Sequence, residues 1–184
     1  SGCIAQVYKG VLKKPDGSRI PVACKLIHPH IEDNLIHDMN ILKSMVWLLE
    51  GIPSFQYLSL GGAVNTFSHA MREQLDLSME AEHMAHFRSD FADNPNVDFA
   101  QPIPEFVSRN ALVETFCKGV PITKFMGPDT SPETKLRLSR VCCLSMLDMV
   151  FKHNFVHGDL HPGNILVDMH DPELKGDPKL LFLE

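Results

Sequence analysis

The residues His157-Gly158-Asp159-Leu160-His161-Pro162-Gly163-Asn164 place an aspartate five positions before an asparagine in a short polar loop. Phosphoryl transfer asks little covalent chemistry of a protein. It needs a carboxylate to orient the attacking group and oxygen ligands to hold a metal ion against the phosphates. Asp159, at the start of the loop, suits the first task. Asn164, at its end, suits the second, because magnesium takes hard oxygen donors such as an amide carbonyl. Pro162-Gly163 fixes the turn between them. The same spacing occurs in ordinary polar turns; the preceding His157 and the apolar Ile165-Leu166-Val167 just after it make this loop a catalytic candidate.

Three further groups fit that chemistry. Lys25 closes Val22-Ala23-Cys24-Lys25, an alternating strand pattern that sets a charge among apolar neighbours. A buried lysine is costly unless paired, and a helix carboxylate together with ATP phosphates would pair it; on an edge strand it would simply face solvent. The acidic run Arg72-Glu73-Gln74-Leu75-Asp76-Leu77-Ser78-Met79-Glu80 spaces Asp76 and Glu80 four residues apart, on one face of a continuous helix. One could meet Lys25 and the other approach metal or phosphate, although such runs are commonly solvated faces. The opening Ser1-Gly2-Cys3-Ile4-Ala5-Gln6-Val7 is rich in small residues that let backbone N–H groups approach a phosphate, a weak signal with a single glycine.

Strands and helices must position these groups. Residues 3–9 and 20–27 form a hairpin around Pro15-Asp16-Gly17-Ser18. A helix with a broad apolar face spans 31–50 and ends at Gly51-Ile52-Pro53, and a second helical stretch spans 65–91. Pro102 and Pro104 break the next segment, and 111–116 is a short strand. Thr130-Ser131-Pro132-Glu133 starts a helix with a capping box that runs to about His153. Ile165-Leu166-Val167 and Leu180-Leu181-Phe182-Leu183 are two short strands around a polar turn. The fold expected is α+β: a small β-containing lobe, then a helical lobe.

Composition narrows the function classes. The chain has 184 residues, 44% of them hydrophobic, and a net charge of −6, which supports one packed domain and argues against a nucleic-acid footprint. No apolar run approaches the roughly 20 residues of a membrane span. Five cysteines without a Cys-x-x-Cys pair read as scattered thiols of a reducing compartment rather than disulfides or a zinc site.

Together these residues resemble the UbiB family of atypical kinases, also called the ABC1 or aarF-domain-containing family. Ile4-Ala5-Gln6-Val7-Tyr8-Lys9 is similar to its nucleotide loop, Val22-Ala23-Cys24-Lys25 to its lysine strand, Leu75-Asp76-Leu77-Ser78-Met79-Glu80-Ala81 to its acidic helix, and the octamer 157–164 to its catalytic loop. The resemblance implies a protein-kinase-like two-lobe fold, with an N-lobe over 1–117 and a partial C-lobe over 118–184. Because a kinase fold needs more chain, and this one opens on Ser1-Gly2 and stops at Glu184 within a strand-like run, it also implies a truncated form.

Carried over residue by residue, the resemblance gives Asp159 as the catalytic aspartate and Lys25 as the phosphate-binding lysine with Glu80 as its partner. It places Ala5, Gln6 and Val7 over the nucleotide, Asp76 as the aspartate of a Glu-x-Asp motif, and Asn164 and Glu184 at the metal. Two positions depart from the family pattern. Gln74 stands where the motif has glutamate, and Glu184 stands about where the metal-binding aspartate on the strand after Asn164 is expected. ATP and magnesium are the implied cofactors. The implied setting is mitochondrial, in coenzyme Q (ubiquinone) and isoprenoid lipid metabolism, with partners among coenzyme Q biosynthetic proteins and peripheral membrane attachment through parts outside this chain. The implied activity is ATP-dependent phosphotransfer or ATP hydrolysis; the alternative is a nucleotide-binding pseudokinase scaffold. A third reading, a metal hydrolase built on His157, Asp159 and His161, rests on their His-x-Asp-x-His spacing.

Overall fold

The computed structural model describes residues 4–53, 56–168 and 178–183. Ser1, Gly2 and Cys3 of the opening run and Glu184 lie outside them.

β1 (Ala5–Lys13) and β2 (Arg19–Ile27) form the expected hairpin, longer at its tip than the apolar pattern indicates, in register from Ala5 opposite Ile27 to Lys13 opposite Arg19. The tip closes where Gly17 adopts φ 83°, and the Asp16 carboxylate accepts from Ser18 N–H at 2.8 Å and Ser18 Oγ–H at 2.6 Å. α1 (Ile31–Glu50) has the predicted limits. Its apolar face is only partly used, however: Met39 and Val46 are buried while Ile41, Met45, Trp47 and Leu48 are exposed.

The continuous helix expected over 65–91 is two helices, α2 (Leu60–Glu73) and α3 (Leu77–Asp90). The apolar period runs through Leu75, but Asp76 is extended (φ −116°, ψ 95°) and its carboxylate caps α3 by accepting from Ser78 N–H at 3.0 Å. α2 folds back on α1, where Gly61 N–H donates to Glu50 Oε1 at 2.9 Å.

Past α3 come β3 (Val97–Phe99), β4 (Pro102–Ser108), β5 (Ala111–Thr115) and the two-residue β6 (Val120–Pro121). Pro102 and Pro104 do not prevent β4, because it is an edge strand and its register against β5 shifts between Pro102 and Val107. α4 (Pro132–Leu147) starts at Ser131, which accepts from Thr134 N–H at 3.1 Å. The third position of that helix is Thr134, so Glu133 stands one place short of completing the predicted capping box. A π turn, Asp148–Lys152, ends this segment, and β7 (Ile165–Val167) and β8 (Leu180–Phe182) come after it.

Two four-stranded sheets result, ordered β1-β2-β5-β4 and β3-β8-β7-β6. In the second, β3 runs parallel to β8, so a strand that precedes β4 and β5 of the first sheet completes a sheet otherwise built after them. α3 serves both. Leu77, Ala81 and Met84 pack with Ala100 and Leu112 against the first sheet. Phe87 enters a second core with Phe91, Phe99, Leu138, Met149, Val167 and Phe182. Arg88 and Lys179 converge on Asp98 at 2.8 and 2.9 Å, tying the end of α3 to β3 and β8.

Candidate functional site

Lys25 stands on β2 opposite Val7 of β1 and Leu112 of β5. Directly opposed residues in antiparallel strands share a face, so these three lie on one side of the sheet, with Ala23 and Glu114 next along it. α3 covers that side through Leu77, Ala81 and Met84, and Glu80 falls within the same stripe. The Lys25 ammonium donates to Glu80 Oε1 at 2.7 Å and Oε2 at 2.5 Å. With side chains 22% and 15% exposed, the pair is mostly shielded from water, so each charge depends on the other.

Asp76 does not share that helical face. As the cap of α3 its carboxylate accepts from Ser78 N–H and Oγ–H, and the Ser78 hydroxyl foremost, against a partial desolvation, holds the carboxyl below its usual range. Gln74 is the residue that ends α2. Ala5, Gln6 and Val7 form the start of β1 rather than a loop: Ala5 is buried, Gln6 half-buried and Val7 55% exposed.

The loop from His157 to Asn164 is held by its own side chains. Asp159 N–H donates to His157 Nδ1 at 3.2 Å, which leaves Nε2 to donate to the Leu183 carbonyl at 3.0 Å. Gly163 N–H donates to His161 Nδ1 at 3.0 Å, and a Cβ on Gly163 would lie 2.6 Å from His161 Cε1, so the imidazole rests in the space that the missing side chain leaves. Asn164 Nδ2 donates to the Asp159 carbonyl at 3.1 Å. That bond uses the amide nitrogen and leaves the amide oxygen, a hard donor that fits magnesium. The Asp159 carboxylate itself is 86% exposed, with His161 Nε2 3.9 Å from its Oδ2.

Both ring nitrogens of buried His157 are thus engaged by backbone groups. Among the described residues no set of three His, Cys, Asp or Glu side chains converges as a metal site. The metal-hydrolase reading of His157, Asp159 and His161 is corrected on those grounds.

α3 physically joins the two halves of the site. Three residues before the helix end, its Phe87 ring stacks on His157 at 5.9 Å and meets Phe155 at 4.6 Å and Phe99 at 5.0 Å. The helix that carries the partner of Lys25 therefore also packs on the histidine that shapes the Asp159 loop. Beyond β5, residues 116–119 connect the two sheets. Gly119 lies so close to β7 that a Cβ there would come within 2.7 Å of Leu166 Cβ and 2.9 Å of the Val167 carbonyl. Beneath this connection is a cavity of about 660 Å³ whose lining includes Arg88, Asp98, Cys117, Asp168 and Leu181 and none of the residues predicted from sequence.

One ionisable group on the Lys25 face was not anticipated. Glu114, half-buried on β5, has its carboxyl pushed up to about 7, chiefly by burial, with the negative charge of Glu80 adding and the positive charge of Lys25 offsetting. Its sequence signal is the one Lys25 gives, a charge inside an apolar strand, Leu112-Val113-Glu114. Cys24, Cys117 and Cys142 are half-buried free thiols and Cys143 is an exposed one. Burial pushes the Cys117 thiol up to about 11, away from reactivity. No helix among the described residues is long and apolar enough to cross a membrane.

Comparison with known proteins shows the family and the fold. The ABC1 atypical kinase-like domain matches residues 1–183. The probable serine/threonine-protein kinase abkC of Dictyostelium discoideum is 36% identical over 94% of this chain and 24% of its own length. The mitochondrial ABC1 family protein C21C3.03 of Schizosaccharomyces pombe is 35% identical over 98% of this chain and 29% of its own. Bacterial proteins named probable protein kinase UbiB match more distantly. In the solved complex of Rv3197 with erythromycin from Mycobacterium tuberculosis, the fold of the whole chain recurs over 43% of that protein with a TM-score of 0.80 at 21% identity. The chain therefore spans less than a third of the length of the curated relatives it matches, and with its mixed α+β, kinase-like fold it belongs to the ABC1 atypical kinase family.

Proposed function

We propose that this chain forms the nucleotide-binding and catalytic-loop portion of an ATP-dependent phosphotransferase or ATPase of the ABC1/UbiB type, with residues 1–117 as N-lobe and 118–184 as C-lobe portion. The observation that carries the proposal is the shielded Lys25–Glu80 pair, set by α3, whose Phe87 also packs against the histidine of the Asp159 loop. Glu80 fixes the direction of the ammonium, so Lys25 binds ATP phosphate without having to be ordered first. Ala5, Gln6 and Val7 at the start of β1 cover the nucleotide. Asp159, free to face solvent, orients the hydroxyl or water that attacks. Asn164 offers its amide oxygen to magnesium, which when bound neutralises charge developing on the phosphates. Asp76 bears on the site through the start of α3, and Glu184 is the candidate for a second metal ligand.

The same reading sets this activity in coenzyme Q and mitochondrial lipid metabolism; the relatives named UbiB and the mitochondrial designation of the S. pombe relative support that setting. The test is ATP turnover by the wild-type chain and Asp159→Asn, with ATP affinity measured on both. The expected result is unchanged affinity and turnover lowered by about a hundredfold or more, the range lost with a proton-accepting group. Equal turnover would contradict the role of Asp159. Lys25-dependent binding with no turnover in either protein would favour the pseudokinase scaffold.

A further inference from the structure

We propose, building on the nucleotide-site reading, that Glu114 is a positioning residue whose protonation sets how strongly Lys25 holds a polyphosphate. Its place is fixed by strand register. Glu114 stands opposite Ala23, two residues along β5 from Leu112, which stands opposite Lys25. Diagonal neighbours on one face of an antiparallel pair are about 7–8 Å apart at the backbone, within reach of long side chains, and both of these side chains are long.

The charged and titratable groups around Glu114 come from several elements. β2 supplies Lys25, α3 supplies Glu80, and the Cys117 thiol lies just past the end of β5. β4 sets Pro102 opposite it. From β1, Lys9 places its ammonium 4.3 Å from the ring centre of Phe116, the next residue on the same face. Glu80 holds Lys25 at 2.5 and 2.7 Å, so Glu114 is a second carboxyl beside an ammonium already taken.

Its charge decides the balance. With Glu114 protonated, Lys25 and Glu80 cancel, and an incoming polyphosphate meets a neutral pair whose ammonium it can share. With Glu114 ionised, the three groups carry one net negative charge, which repels the polyphosphate and draws the ammonium back from it. The titration falls at about 7, so modest changes of pH around neutrality move the residue between these states.

The test measures ATP affinity of the whole chain from about pH 6 to about pH 8.5 in wild type and in Glu114→Gln, whose amide is fixed as the neutral form. One linked proton weakens wild-type binding by up to about tenfold per pH unit above about 7 relative to the variant, and leaves the two equal at about pH 6. The titration of ATP itself is common to both proteins and cancels in the ratio. A ratio that stays flat with pH while both proteins bind ATP overturns the role of Glu114 and leaves the nucleotide site standing. No ATP binding by either protein at any pH overturns the nucleotide site, and the role of Glu114 with it.

Discussion

Glu114→Gln also has a consequence for folding that needs no ligand. The carboxyl ionises at 4.5 in the open chain and at about 7 in the folded one. Between those values the folded chain keeps a proton that the unfolded chain has released, so stability falls as pH rises through that window. Below it, both states are protonated and the residue contributes nothing to the pH dependence; above it, the full cost of the buried charge is present. At about 1.4 kcal/mol per pH unit the cost reaches about 3 kcal/mol, and the remaining solvent contact of a half-buried group trims it to about 2 kcal/mol. Gln keeps the size and removes the charge, so the variant should melt about 4–8 °C above wild type at about pH 8.5 and no higher at about pH 4.5. Thermal unfolding followed by circular dichroism across this range measures both values. A variant that melts below wild type at the upper pH would refute the reasoning, because it would make ionised Glu114 a stabilising partner of Lys25. So would a difference independent of pH.

Phe87→Ala removes a fully buried ring from the core that joins α3 to the Asp159 loop and should cost about 3–5 kcal/mol in urea unfolding. A loss under about 1 kcal/mol would mean the contact does not hold the halves together. Gly119→Ala drives a methyl into Leu166 and the Val167 carbonyl, and backbone cannot yield as a side-chain tip can. It should destabilise by about 1–3 kcal/mol in the same assay, and a neutral result would show that the 116–119 connection stands farther from β7.

The parts of the site legible in the sequence are those whose geometry is local or whose charge is out of place. The Asp159 loop is set by residues within a few positions of one another: His157 accepts from Asp159 N–H and Gly163 is tucked under His161. Lys25 and Glu80 lie 55 residues apart, but an ammonium in an apolar strand demands a carboxylate, and the acidic helix offered Glu80. Asp76 shows where that reasoning ends. A cap and an interior position look alike when Leu75 continues the apolar period, yet the turn at Gln74 and Leu75 and the extended backbone of Asp76 separate α2 from α3. β3 and β6 are too short to show alternation, and β3 is held by pairing with β8 some 80 residues on, which no local pattern encodes. The outward apolar side of α1 shows the same limit: periodicity marks a helix without saying how much of its face is covered. Glu114 escaped because its burial depends on α3 folding over β5.

The most direct test of the nucleotide site is equilibrium binding of ATP, with and without magnesium, to wild type and Lys25→Ala, with the fold of each checked by its melting curve. If Lys25 and Glu80 form a phosphate-binding pair, wild type binds ATP more tightly with magnesium, and Lys25→Ala loses most of that affinity while still melting cooperatively. Equal affinity in the two proteins, both folded, would contradict the account.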